Sequence, residues 1–164
     1  IDGEQPEIIS VLETKSLAKH IDTLVNKYII ETKTDPSNIA IITMVSYMDS
    51  LLEQMSAFSK LNYADSKQKG KVCKTTARKF KGLEADLVII TDIDWNALTE
   101  VTYRKLFYTS CSRAKHNLYL VSQELDTIDT DFILKQIQSE DSKRKGKRRF
   151  LKLFNLKENE VIRH

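Results

Sequence analysis

Two short runs constrain this chain more than anything else in it: IAIITMV at residues 39–45 and DLVIITDI at residues 86–93. Both are largely apolar and rich in β-branched residues, and neither approaches the ~20 residues that a membrane span needs. A strand with one face in water alternates apolar and polar side chains, whereas a strand without alternation has to be covered on both faces. Two such strands therefore call for a sheet with helices above and below it. One covering helix is legible upstream, where Leu17, Ile21, Leu24, Val25, Tyr28 and Ile29 recur at three- and four-residue spacing.

The rest of the chain alternates in the same sense. IISVL (8–12) reads as a first strand. DPSN (35–38) reads as a turn, because proline fixes its own φ and the polar neighbours bond the local backbone. Asp49 to Lys60 resumes a helical pattern through Leu51, Leu52, Met55 and Phe58, and NYADSKQKGK (62–71) is a polar connector. VCKTTA (72–77) reads as a short strand, Val101 to Ala114 as a helix and NLYLVS (117–122) as a closing strand. A further helix is expected around Phe132 to Ile137, and a weak terminal element, strand or short helix, over 150–162. Strands alternating with helices predict an α/β class: a three-layer, mainly parallel sheet with flanking helices. Such sheets bind ligands at the carboxyl ends of their strands. Two polar loops beside the central strands, KGLE (81–84) and SRAK (112–115), are expected there.

Composition narrows the class. A chain of 164 residues that is 41% hydrophobic and 30% charged can build a full core and is not of disordered type. Cys73 and Cys111 lie far apart in apolar or mixed segments and are expected to be reduced core thiols, which suits a cytoplasmic protein. His20, His116 and His164 are scattered, so no zinc pattern appears and no metal ligands are assigned. No secretory leader or membrane segment is evident, and a start at Ile1 fits a fragment or a processed product of a longer chain. Net charge is only +3, but KRKGKRR (143–149) concentrates basic residues in a block that either meets nucleic-acid phosphates or is a solvated tail. The chain is accordingly divided into a folded domain over 1–140 and a basic C-terminal extension over 141–164.

The two polar loops carry a resemblance. TARKFKGLEADLVII (76–90) resembles the fifth conserved motif of UvrD/Rep-like superfamily 1 helicases: a threonine, a histidine two residues on, then KGLE and a strand. KLFYTSCSRAKHNLYLV (105–121) resembles the sixth, an aromatic-rich helix that ends in a threonine-arginine-alanine step before a strand. The two occur in the family's order and spacing. The likeness is clear over roughly 76–121 and looser over 8–60. It implies the C-terminal RecA-like motor domain, called 2A, a P-loop NTPase fold without its own P-loop. No GxxxxGK[ST] segment occurs, and no acidic pair follows a strand in the position of the second motif, so ATP and Mg2+ would both require an N-terminal RecA-like domain of the same parent chain.

By that resemblance, Arg113 matches the arginine finger, the catalytic guanidinium that meets the transferring phosphoryl group. Glu84 matches the glutamate that accepts hydrogen bonds from the nucleotide ribose, and Gly82 supports the loop by permitting a tight turn or a close backbone approach. Gly82, Glu84 and Arg113 thus form the expected nucleotide-binding set. Thr76, Arg78 and Lys81 are the expected contacts to single-stranded nucleic acid, DNA in the first instance. Arg78 stands where the family has histidine and Ser112 where it has threonine, while Tyr108 is read as a packing aromatic. The implied function is that of the C-terminal half of an ATP-dependent DNA helicase or translocase, inactive alone. The alternative is a nucleic-acid-binding or partner-recruiting module without catalysis.

Overall fold

The two apolar runs do lie side by side. In the computed structural model, which describes residues 7–10, 14–46, 49–50, 52–55, 61–94, 96–122 and 161–163, strands β2 (Ile39–Thr43) and β5 (Ala85–Thr91) pair in parallel from Ile39↔Leu87 to Thr43↔Thr91. All of β2 is buried, and so is β5 apart from the half-buried Asp86. Around this pair the sheet adds β1 (Glu7–Ser10), β3 (Tyr63–Ala64), β4 (Val72–Thr76), β6 (Ala114–Ser122) and β7 (Val161–Arg163). The order is β3-β4-β2-β5-β6-β1-β7, and every neighbouring pair is parallel.

Alternation along the strands sends successive side chains to opposite faces. Ile39, Ile41, Val72, Leu87, Ile89 and Val121 face one side, where Ala18, Ile21 and Val25 of helix α1 (Thr14–Thr32) cover them, with Leu52 of the short helix α2 (Leu52–Met55). Ala40, Ile42, Cys73, Val88, Ile90, Leu118 and Leu120 face the other, under Phe107 and Cys111 of helix α3 (Val101–Cys111). This is the expected three-layer α/β arrangement, and both cysteines are buried free thiols in it. Burial of a side chain such as Phe107, fully enclosed, contributes roughly 1.5–3 kcal/mol.

Local chemistry ends each helix. Lys33 takes a left-handed φ of 55° and donates to the Ile29 carbonyl at 2.9 Å, which terminates α1. Asp35 then caps a 3-10 turn over Pro36–Asn38, accepting from the Ser37 amide at 2.8 Å and the Gly70 amide at 3.3 Å. The hydrogen bonds from Ser37, then that from Gly70, hold its carboxyl below the usual range. At the start of α3, the Glu100 carboxylate accepts from the amides of Thr102 and Tyr103. The buried Arg104 guanidinium donates to the carbonyls of Leu98 and Thr99, so α3 is tied to the 3-10 turn Asn96–Thr99 before it.

Several boundaries differ from those read in the sequence. The first strand ends at Ser10, and α3 stops at Cys111 rather than Ala114. β6 begins at Ala114, earlier than expected, because the chain turns at Ser112 and Arg113 and pairs Ala114 with Ala85 at once. The polar connector 62–71 contains β3, which pairs Tyr63 with Val72 and Ala64 with Cys73. Of the expected helix over 49–60, residues 52–55 are helical and 56–60 lie outside the described residues, as do Phe132–Ile137, KRKGKRR and 150–160. The terminal element includes a strand at 161–163.

Candidate functional site

The expected site residues fall into two groups at opposite ends of the sheet. Thr76 closes β4 at the level of Thr43 and Thr91, the carboxyl ends of β2 and β5. Glu84 and Arg113 each sit immediately before a strand, at the amino ends of β5 and β6. The expectation that KGLE and SRAK would gather at carboxyl ends is therefore corrected. The physical reason is the connection itself: residues 77–84 leave the carboxyl end of β4 and must return the length of the sheet to enter β5 parallel to it.

At the amino end, the Ala85 amide donates to the Arg113 carbonyl at 3.1 Å, so Glu84 and Arg113 are held on adjacent strands. Lys115 Nζ lies 3.8 Å from Glu84 Oε2, both side chains more than half exposed, which makes this a weak pair by itself. Lys67 Nζ donates to the Glu84 carbonyl at 3.5 Å. Arg113 is half-buried, and its Nε is a buried donor with no hydrogen-bond partner among the described residues. Gly82 adopts φ 85° in the turn before Glu84, and a Cβ there would meet nothing within 4 Å. The positive φ is what the turn demands, and among the described residues no close approach demands a missing Cβ. Lys81 is exposed on the connection between the two ends.

At the carboxyl end, Thr76 and Arg78 line an open cavity of about 390 Å3. Met44 and Leu106 supply apolar wall, and Glu100 and Tyr103 bring the start of α3 to it. Thr76 Oγ1 accepts from the Lys79 amide at 3.3 Å, and Arg78 is exposed. The Tyr103 hydroxyl accepts from the Asp94 amide at 2.9 Å, and burial, with the Asp94 and Asp92 carboxylates nearby, pushes its pKa up to about 12. It is therefore a neutral donor and acceptor at physiological pH. Tyr108 packs against the α3-side core, as a packing aromatic would.

Reading the sequence missed Lys115, although it stands within the quoted SRAK, because only register shows it beside Glu84. It also missed Met44, Glu100 and Tyr103, for which an N-cap glutamate before an amphipathic helix was the available signal. Among the described residues, no group of three or more His, Cys, Asp or Glu side chains converges to hold a metal ion. None of the described helices is long and apolar enough to cross a membrane.

A parallel sheet with helices on both faces and a polar cavity at the carboxyl ends of its strands is a three-layer α/β architecture. Residues 71–121 match the UvrD-like helicase C-terminal domain family. Among solved structures, the chain is similar to the C-terminal domain of a possible DNA helicase from Lactobacillus plantarum WCFS1, with a TM-score of 0.57 and 23% identity over 74% of this chain and 75% of that one. No curated protein matches the chain. The family match covers residues 71–121, and the likeness to the solved structure shows a shared α/β fold.

Proposed function

We propose that this chain is the C-terminal motor domain of an ATP-dependent superfamily 1 DNA helicase or translocase, and that its amino-end loops face the nucleotide. The observation that carries the reading is the adjacency of Glu84 and Arg113 at the entries of β5 and β6, with a buried Arg113 Nε that has no hydrogen-bond partner among the described residues. A buried guanidinium nitrogen without an acceptor is costly, and a phosphate oxygen would satisfy it. The residues fit half of a nucleotide site. They offer a cation for phosphate and an acceptor for ribose hydroxyls, but no cradle for the β- and γ-phosphates and no magnesium ligands, which belong to an N-terminal RecA-like domain.

ATP bound between the two domains supplies the phosphoryl group whose hydrolysis drives movement. Arg113 would neutralise charge on the equatorial oxygens as that group transfers, its planar fork meeting two of them. Glu84 would exchange its contact with Lys115 for the ribose hydroxyls, and the Gly82 turn would hold it in position. At the other end of the sheet, Thr76 and Arg78 would meet the backbone of a single strand, with Lys81 between the two sites. The isolated domain would hydrolyse no ATP at a measurable rate.

The test is DNA-stimulated ATP hydrolysis by a protein that joins this chain to its phosphate-binding RecA-like domain. Arg113→Ala is expected to lower kcat by about 10^3-fold or more while leaving thermal stability unchanged. Stimulated hydrolysis that survives the substitution would remove the finger from Arg113. A wild-type protein that binds single strands without hydrolysing ATP would favour the binding-module reading.

A further inference from the structure

Behind the carboxyl-end cavity, one carboxylate oxygen collects three hydroxyls. Thr43 Oγ1 and Ser50 Oγ each donate to Asp92 Oδ2 at 2.6 Å, and Thr91 Oγ1 donates to the same oxygen at 2.9 Å. The three donors are buried. Thr43 and Thr91 share the parity of Ile41 and Ile89, so the cluster lies on the α1 side of the sheet, opposite α3. Asp92 itself has a left-handed φ of 56°.

Each member of the cluster also fixes backbone. Thr43 Oγ1 accepts from the Val45 amide at 3.3 Å, and the Thr43 carbonyl accepts from the Ala77 amide at 3.0 Å. The Met44 amide donates to the Thr91 carbonyl at 3.2 Å. Ser50 Oγ accepts from the Leu52 amide at 3.0 Å, at the start of α2. The exits of β2, β4 and β5 and the entry to α2 all converge on one side chain. Met44 and Val45 line the cavity, and Ala77 separates two of its polar residues, Thr76 and Arg78.

The arrangement is expensive. A left-handed conformation costs a residue with a Cβ ~1–2 kcal/mol, and each buried hydroxyl left unpaired would cost ~1–3 kcal/mol. Glycine or asparagine would satisfy the backbone at lower cost, so φ alone does not explain an aspartate. Three converging O–H donors do, because bonds to a carboxylate oxygen are roughly twice as strong as bonds to a neutral amide oxygen. Strain that surrounding structure over-determines is concentrated where a site needs fixed geometry.

We infer that Asp92 is the positioning residue of the carboxyl-end cavity. Its carboxylate sets the exits of β2 and β4, and through them the placement of Thr76 and Arg78. The identity of the ligand rests on the nucleic-acid reading above; the positioning does not.

The experiment is residue-resolved amide hydrogen exchange on the full chain, wild type against Asp92→Asn, which keeps the size and tolerates the left-handed φ. Exchange at Met44, Val45 and Ala77 should quicken by about 10-fold or more, with the amides of Leu118 and Leu120 in β6 unchanged. Ser50→Ala, which removes one donor, should shift the same three amides in the same direction by less, and serves if Asp92→Asn does not fold. Unchanged exchange at those amides, or quickening spread evenly over the sheet, would overturn the inference, since a merely stabilising residue loosens the whole. Oligo(dT) affinity is read in parallel: a loss of about 5–10-fold in Asp92→Asn, matched by Arg78→Ala and not deepened in the double variant, supports positioning of the strand contacts. Local quickening with oligo(dT) binding absent or indifferent to Arg78→Ala supports the positioning and removes nucleic acid as the ligand.

Discussion

Replacing Gly82 with alanine separates what the KGLE turn demands of the backbone from what it demands of space. Gly82 has φ 85°, and an added Cβ would meet nothing within 4 Å. The steric term is therefore absent and the conformational one remains. Holding an L-residue left-handed costs ~1–2 kcal/mol, and the smaller entropy of the unfolded alanine chain offsets ~0.4–1 kcal/mol of it, in the direction opposite to the strain. The net expectation is a loss of about 1 kcal/mol, which in a chain of this size lowers Tm by ~2–4 °C. Gly70 supplies the internal control: φ 77°, also with nothing within 4 Å, and remote in sequence from Glu84. Urea unfolding of Gly82→Ala and Gly70→Ala should show the same fall in midpoint at unchanged m. In the joined motor only Gly82→Ala should weaken nucleotide affinity. A cost above about 3 kcal/mol at either glycine would reveal crowding that the 4 Å clearance excludes. No cost, or a gain, would mean that the turn does not require the left-handed conformation, and the reasoning would fail there.

Three further outcomes follow from the core. Phe107→Ala empties the α3-side layer at a fully buried position and should cost about 3–5 kcal/mol, read as a lower urea midpoint. Burial, with the Asp65 carboxylate adding to it, pushes the Cys73 thiol up to about 11, and burial raises Cys111 further. Both thiols should stay unreactive to iodoacetamide at pH 8 until the chain unfolds. Because the folded state then holds protons that the unfolded state releases, stability is fully present below about pH 9 and should decline from there towards pH 11, measured by thermal melts across that range.

How much of this was legible beforehand depended on whether a signal was local. IAIITMV and DLVIITDI announced a doubly covered sheet because loss of alternation is written in adjacent residues, and α1 was legible because its period is. The early start of β6 was hidden by Lys115 and His116, polar residues that are exposed although they lie in a strand between β5 and β1. The end of the sheet at which KGLE and SRAK stand depended on the strand order, and no window of sequence carries that. Glu84 and Arg113 are brought together by the pairing of β5 with β6, segments far apart in the chain. Asp92 was visible as an acidic residue after a strand, but its hydroxyl partners come from two other segments, Thr43 and Ser50, as well as its neighbour Thr91.

The return from β4 to β5 has a mechanical consequence. Register places Thr76 level with Thr91, so the chain must recover the six-residue rise from Ala85 to Thr91, about 20 Å at ~3.3 Å per residue. Residues 77–82 are wound in turns, with Phe80 clamped in the core, and tight turns rise only about 2 Å per residue. Such a segment covers roughly the required length with little slack. It should act as a strut, so that a shift at Thr76 and Arg78 reappears at Gly82 and Glu84, which amide exchange read at both ends would report. Deleting one residue between them should cripple the domain, whereas the polar loop at 65–71, hung on the outer edge, has room to lengthen.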